Sequence, residues 1–580
     1  MHKLLSAVAV AVFLAFNPML RADKYVNGAT GDDTGPGTEL EPYKTISNGV
    51  FKAGAGEVVY VAGGTYVLST NILITNAITL RGENRTNTIL QGQFPAITNR
   101  GIYINHADAT VEEFTITGFG MTQNTPAGSG AGGGVYLENG TLRACIITNN
   151  VGADKGGGVY QAAGLVSNCV ISFNTNINYT WSGGGGVHMR GQVWNCYISD
   201  NAATRGGGVA MYAGALLVKS VVSNNVSYYC GGGIFADASV ISNCTVVNNS
   251  IPVNNEGGGI YCQNNSAIHG SIIRNNHTRQ LAGGICCYIP GTQYIGHCEI
   301  SGNQAPENYG GGILLGGGGL VLENCVISNN FATRSGGGIE AGVYANDGVK
   351  AIGCRIVGNV ISDGHGAGVS LCSNSVLENC VIRDNIITNL TTAYRFGAGI
   401  FCRVGGNSII RNCLIAGNIG DDTKNATGGG GIYIASGSAN QIDACTIADN
   451  YAMTGGGVYL DGAGADSFSN CIVISNRFRY SSPDIYLDAA TRGNAFTYSC
   501  SATLTNTTLG NITNTPLFAD QAAGDYRLTC LSPGINTGAN QPWMADALDL
   551  NGLTRIDRYS RRVDMGCYEY LHQGALYRLK

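Results

Sequence analysis

Residues 231–249 read GGGIFADASVISNCTVVNN, and the reading of this stretch decides the fold. Three glycines open it, the alternating run Ile234-Phe235-Ala236 follows, and Cys244, Val246 and Asn249 close it. The pattern recurs thirteen times, with glycine runs at Gly132, Gly156, Gly184, Gly206, Gly231, Gly257, Ala282, Gly310, Gly336, Gly366, Gly397, Gly429 and Gly455, 22 to 32 residues apart. Each run is followed by a Cys (Ser220 and Ser271 replace it twice), by Ile or Val two positions later, and by Asn five positions later. These asparagines run from Asn150 to Asn476. Thirteen matches in thirteen copies at both of the last positions exclude coincidence.

Cys-x-Ile and Val-Tyr-Leu are period-2 patterns, so each copy offers two short strands with small or branched residues facing inward. One copy is too small to fold alone, but copies can stack. Stacked in register at about 4.8 Å, identical inward residues form ladders, and an inward Asn bonds backbone groups and the Asn above and below it. The glycine run marks positive φ or close approach between coils. Helical periodicity is absent, and no Leu-x-x-Leu-x-Leu consensus recurs. The fold class is therefore all-β: a single-stranded, right-handed parallel β-helix with N- and C-terminal caps. We divide it as an export signal (1–22), N-terminal cap and first coils (23–100), the repeats (101–480), and last coils with a C-terminal cap (481–580). Phe114-Thr-Ile116 with Phe119 reads as a degenerate coil, with Phe standing in for Cys and Asn. Thr513 to Tyr570, where the repeat has faded, reads as the segment that closes the open end of the stack.

Composition bounds the function. The chain has 87 Gly, 20 Cys, 29 Tyr and only 12% charged residues, without collagen's period or proline content. A net charge of −5 argues against a nucleic-acid partner. Lys3 and the apolar run Leu4 to Phe16, with Ala22 before the cleavage point, predict a secretory signal. No later segment is long and apolar enough to span a bilayer, so the expected location is secreted, extracellular or on the outer cell surface.

The N-terminal Tyr25-Val-Asn-Gly28, Gly31-Asp-Asp33, Tyr43-Lys-Thr-Ile46 and Val59-Tyr-Val-Ala-Gly-Gly-Thr-Tyr66, together with the repeats, resemble the pectin-lyase-like right-handed β-helix proteins exported by Gram-negative and related bacteria. The ending resembles the choice-of-anchor Q module. Its marks are Thr515-Pro-Leu-Phe518, Asp525-Tyr-Arg-Leu528, Ser532-Pro-Gly-Ile535, Asp549-Leu-Asn-Gly552, Arg555, Val563-Asp-Met-Gly566 and Tyr568-Glu569. The resemblance implies fold and export. It leaves activity open, because such proteins include lyases, hydrolases and adhesins.

Three constellations are candidates for function. The ladder cysteines read as buried core filling, with occasional disulfides as the alternative; Cys530 and Cys567 in the cap are the better disulfide candidates. The outward position after the glycine run carries Tyr136, Tyr160, Phe235, Tyr261, Phe401, Tyr433 and Tyr459, with His188 among them. Such a row either holds sugar rings against its faces or stacks on itself under covering loops. The variable loops ahead of the glycine runs place Arg334, Asp363 with His365, Arg395, and Asp421, Asp422 and Lys424 on neighbouring coils. Asp with Arg suits a lyase, with Asp421 and Asp422 as Ca²⁺ ligands and Asp363, His365, Arg334 and Arg395 catalytic; Asp pairs also suit an inverting glycosidase, and solvated loop charges are the third reading. Gly364-His365-Gly366 is similar to the Gly-His-Gly element of polygalacturonases, whose Asn-Thr-Asp and Arg-Ile-Lys elements are missing here. Two functions follow. The first is binding of an extracellular polysaccharide or a cell-surface partner without catalysis; the second is a lyase or hydrolase acting on an acidic polysaccharide.

Overall fold

The computed structural model describes residues 22–122, 130–177, 183–288, 291–342, 348–388, 395–420, 427–478, 484–488, 495–504 and 506–570. Nearly all of the expected signal segment lies outside them. The chain forms the expected right-handed parallel β-helix, with one α-helix, Ile46–Lys52, among the described residues. Each coil contributes two strands to a wide first sheet, one to a second and one to a third. The coil that begins at Gly231 shows the order: Ile234–Asp237 and Val240–Ser242, then Thr245–Val247, then Ser250–Ile251. Among the described residues the second sheet has sixteen strands and the third thirteen. The repeats supply thirteen of each, and Gly64–Val67, Thr88–Gln91 and Thr115–Thr117 supply the three extra strands of the second sheet. Thr115–Thr117 pairs with Ile146–Thr148, so the Phe114–Phe119 segment continues the second sheet in register with the repeats.

The corners of the coil are left-handed residues. In this copy they are Gly231 (φ 65°), Asn243 (φ 53°) and Asn248 (φ 56°), ahead of the first, second and third sheets respectively. Only Gly, and with less ease Asn and Asp, visits this region at low cost. That is why Asn so often precedes both the ladder Cys and the ladder Asn.

Inside, the asparagines form one continuous ladder. The side-chain oxygen of Asn276 accepts both the backbone N–H and the side-chain N–H of Asn249, each at 3.0 Å, while Asn249 Nδ2 also donates to Val222 O at 2.9 Å. The chain of bonds begins where Phe119 N donates to Asn150 Oδ1 (3.1 Å) and ends where Asn476 N donates to Asp484 Oδ1 (2.7 Å). A Cβ on Gly233, the third glycine of its run, would lie 2.8 Å from the Asn249 amide and 2.9 Å from Gly259 O, so the glycine gives the ladder its space. The Cys slot works similarly. Cys244 N donates to Ser271 Oγ (3.0 Å), and Ser271 Oγ donates to His269 O (2.8 Å), so Ser replaces Cys with its bonds satisfied. All twenty cysteines are free, Cys567 buried and Cys530 exposed; the disulfide expected between these two is not formed.

The ends differ from one another. Val26, Tyr43, Ile46 and Val50 continue the main core and close the N-terminal end. At the other end Phe496 stacks on Phe468 at 4.4 Å, Leu504 joins the core, and Ser499 N donates to Asn511 Oδ1 (2.9 Å). The closing contacts, expected of residues 513–570, are therefore made by Phe496, Ser499, Leu504 and Asn511. The later segment instead clasps the outer face of the second sheet. Tyr526, Leu528, Met565 and Cys567 pack on the outward residues Leu414, Ala416, Ala448, Ile472 and Ile474. Its hub is Arg555, fully buried, which donates to Gly566 O (2.9 Å) and Asp564 O (3.2 Å) and pairs with Glu569 at 3.3 Å. No helix among the described residues is long and apolar enough to cross a membrane.

Asn303 sits mid-ladder: its Oδ1 takes two N–H groups of Asn276, and its Nδ2 reaches Ile273 O and Asn330 Oδ1. Asn303→Ala orphans buried groups on both sides and is expected to cost about 3 kcal/mol, with accelerated hydrogen exchange at Asn276 NH. Ser220→Cys is expected to change stability by less than about 1 kcal/mol, because either side chain fills that slot. Denaturant titration checks both.

Candidate functional site: the outer stripe of the first sheet

In-register stacking aligns the outward slot after each glycine run into one column. Tyr103, Tyr136, Tyr160, His188, Ala210, Phe235, Tyr261, Cys286, Leu314, Glu340, Ser370, Phe401, Tyr433, Tyr459 and Tyr486 are successive partners along it. The column divides into two stacks of rings. The first runs from Tyr103 through Tyr136, Tyr160 and His188, with Tyr212 filling the gap at Ala210, to Phe235, Tyr261 and Tyr288; neighbouring centroids lie 4.6 to 6.1 Å apart. The second runs from His365 through Phe401, Tyr433 and Tyr459 to Tyr486 at 4.5 to 5.6 Å.

That geometry limits what the rings can do. Their faces are occupied by one another, with most interplanar angles below 40°, so the accessible parts are ring edges and hydroxyls rather than platforms for sugars. Exposure varies along the row. Tyr136, Tyr160, Phe401 and Tyr459 are half-buried, whereas Phe235, Tyr261 and Tyr433 are buried. Loop residues Cys230, Leu281, Ala282 and Tyr309 cover Phe235 and Tyr261 in a small second core, and Phe396 stacks on Tyr433 at 4.1 Å.

Cations line the stripe. Arg100 lies 4.7 Å from the Tyr136 ring centre, Lys155 6.0 Å from Tyr160, Arg205 5.2 Å from Phe235, and Arg334 5.7 Å from Tyr309. Two carboxylates beside the stripe are turned to internal use. Tyr136 hydrogen-bonds Glu138 and Tyr433 hydrogen-bonds Asp461, and burial, reinforced by these carboxylates, pushes both phenols well above their ordinary range.

Of the loop residues expected to act, Arg334 is exposed and donates to the Tyr309 hydroxyl at 3.3 Å. That bond, aided by the charge of Asp363, holds its guanidinium above the usual range. Asp363 is tethered by its N–H to Thr333 O at 2.5 Å. His365 is brought onto the stripe: it stacks on Phe401 at 4.5 Å and Phe396 at 5.4 Å, and its Nδ1 accepts the Phe396 N–H at 3.2 Å. Arg395 begins the short strand Arg395–Phe396, its side chain not described. Asp421, Asp422 and Lys424, and with the first two the Ca²⁺ expectation, lie outside the described residues. Among the described residues no three His, Cys, Asp or Glu side chains cluster as a metal site would need.

Sequence reading passed over Glu340 and Arg403. Glu340 occupies the stripe between the two stacks, fully buried, and Arg403 Nη2 donates to its Oε1. Burial pushes the Glu340 carboxyl up, against the opposing pull of Arg403. A signal was present: read down the outward slots of the thirteen copies, the Glu of GGGIE is the one charged residue.

The model of the right handed beta helix region family matches residues 133–294, 278–393 and 386–523, most of the chain. The chain belongs to that family. No curated protein matches it. Among solved structures this β-helix is similar to pectin methylesterase PemA from Erwinia chrysanthemi (14% identity, 44% of this chain and 79% of that one, TM-score 0.25). It is also similar to pectate lyase Pel9A (12%, 95% and 97%, 0.25) and to the Dettilon tailspike protein gp208 (12%, 77% and 69%, 0.30). Likenesses at this level bear on neither substrate nor reaction.

His188 links the stripe to pH. It is 3% exposed, stacked between Tyr160 and Tyr212, and hydrogen-bonded through Nδ1 to Gly183 O at 3.2 Å. Burial, with a smaller push from Lys155 and Arg190, lowers its pKa from 6.5 to about 3. The unfolded chain therefore takes the proton first: the stability held by neutral His188 is complete above about pH 6.5 and lost progressively as the pH falls toward 3. Hydrogen exchange of residues 187–211 is expected to accelerate over that interval in the native protein and much less in His188→Phe.

Proposed function

We propose that the chain is an exported, surface-located β-helix whose outer stripe binds an acidic extracellular polysaccharide. The observation that carries this reading is the placement of Arg100, Lys155 and Arg205 against Tyr136, Tyr160 and Phe235 of the stripe, with Arg334 against the covering Tyr309. The half-buried Tyr136, Tyr160 and Tyr459 keep an accessible edge, the cations supply positive charge beside the first stack, and a polymer lying along the axis meets rings and cations on several coils. Charge complementarity of this kind selects an anionic partner. The expected export signal and the choice-of-anchor Q resemblance support the surface location, and the C-terminal clasp lies on the second sheet rather than on the stripe. Binding is favoured over cleavage by the state of His365. Both neighbouring rings, Phe396 and Phe401, stack with it and its Nδ1 already accepts a backbone N–H, which suits a packing role better than proton transfer.

Affinity electrophoresis against polygalacturonate, alginate and neutral dextran tests the reading. Retardation is expected in the two acidic polymers alone, weakening as salt rises, with Lys155→Gln/Arg205→Gln lowering affinity several-fold. Equal retardation in dextran, or none in any polymer, sinks it. The same mixtures, read for unsaturated uronate and new reducing ends, are expected to show no cleavage.

A further inference from the structure

Glu340 and Arg403 form an unusually asymmetric pair. The carboxylate is wholly buried, while the Arg403 side chain is 34% exposed. Arg403 follows the strand Ile400–Cys402 and reaches back across two coils, its Nη2 3.5 Å from Ser370 Oγ and bonded to Glu340 Oε1. Among the described residues, two atoms of the pair, Glu340 Oε2 and Arg403 Nε, have no hydrogen-bond partner. The neighbours of Glu340 along the stripe, Leu314 and Ser370, bring no charge, and among the described residues the thiol of Cys372 is a further titratable group that feels both members. One solvent-facing cation thus sustains the charge of one buried carboxylate, and a buried carboxylate deprived of its cation is strongly disfavoured. The guanidinium has donors to spare and a planar fork that matches a second carboxylate.

We propose that Arg403 is the receiving group for a carboxylate of the bound polysaccharide and that Glu340 is its built-in competitor, taking up one proton when the sugar carboxylate displaces it. This rests on the reading of the stripe as an acidic-polysaccharide site and names where, and under what control, the sugar anion engages. In the free protein Arg403 serves Glu340. In the complex the sugar carboxylate holds Arg403, and Glu340 is neutral and buried between Leu314 and Ser370. Charge balances: one anion and one proton enter, and the site keeps its net charge. The gap between the two ring stacks is where a sugar acid is read, and acidity tightens the grip.

Calorimetry with a defined oligogalacturonate, from pH 5 to 8 and in two buffers of different ionisation enthalpy, tests the proposal. A uronate stays ionised throughout that range. Wild-type affinity is expected to fall by up to about tenfold per pH unit as the pH rises, with buffer-dependent heats reporting about one proton taken up. Glu340→Gln is expected to bind independently of pH and more tightly than wild type at pH 8. The Glu340→Gln/Arg403→Gln protein, which leaves the pair uncharged, is expected to lose the gain that Glu340→Gln shows. Binding by wild type that is flat with pH, or weakened by Glu340→Gln, overturns this proposal alone. No binding by wild type at any pH overturns it together with the reading of the stripe.

Discussion

Everything in this molecule depends on the contact between the asparagine ladder and the glycine that faces it. Each Asn carboxamide oxygen receives two N–H groups from the preceding coil, and its NH₂ bonds the following Asn and a backbone carbonyl, as Asn276 does between Asn249 and Asn303. The ladder holds its geometry because Gly233 and its equivalents have no Cβ to push against it. A side chain there breaks the bonds of two coils at once. The contact also forbids any axial slip between coils, since a shifted Asn meets no oxygen. Zero slip is what turns outward residues of unrelated loops into straight columns, and the outer stripe is one of those columns.

The parts legible in the sequence are those that the ladder repeats. Asn, Cys and Ile recur because each slot tolerates one kind of neighbour above and below, and even the exceptions make physical sense, since Ser271 satisfies the same amide that a thiol would. The left-handed corners were present in the sequence as Asn243 and Asn248, but their conformation follows from the turn of the coil and is not encoded by a pattern of hydrophobicity. The pairing of Glu340 with Arg403 was out of reach: the residues stand 63 apart, and only the lateral span of an arginine across two coils joins them. The aromatic row was legible as a row. That its faces are consumed by stacking depends on a spacing between coils close to that of touching rings, which is a property of the sheet and of no single residue.

The C-terminal segment illustrates a second limit. As a sequence it follows the last coil and reads as a lid. Its actual partner is the outer face of the second sheet, where Leu414, Ile472 and Ile474 replace the polar residues that a solvated face would carry. The buried Arg555 holds the segment together through backbone carbonyls and Glu569, a device that stabilises a loop-rich fold lacking disulfides. A solenoid has several outer faces, and covering one with its own chain leaves another for partners.

The stripe carries a conflict that bears on its chemistry. A column of identical rings is the most stable filling of an outward slot on a parallel sheet, because each ring covers its neighbours. The same packing removes ring faces from use, so a column made entirely of tyrosines is a poor reader of a polymer: it offers hydroxyls at a fixed spacing and little to tell one unit from the next. Discrimination has to enter where the column is interrupted. Here the interruption is Leu314, Glu340 and Ser370, and it costs the fold a buried carboxylate with one oxygen unsatisfied. A structural slot would have been filled more cheaply by another Tyr or Leu, as buried ion pairs are commonly replaced without loss of stability. Glu340 stands there all the same, reached by an arginine with its other side toward solvent, and on the proposed reading the break in the column is where the β-helix gives up stability for recognition.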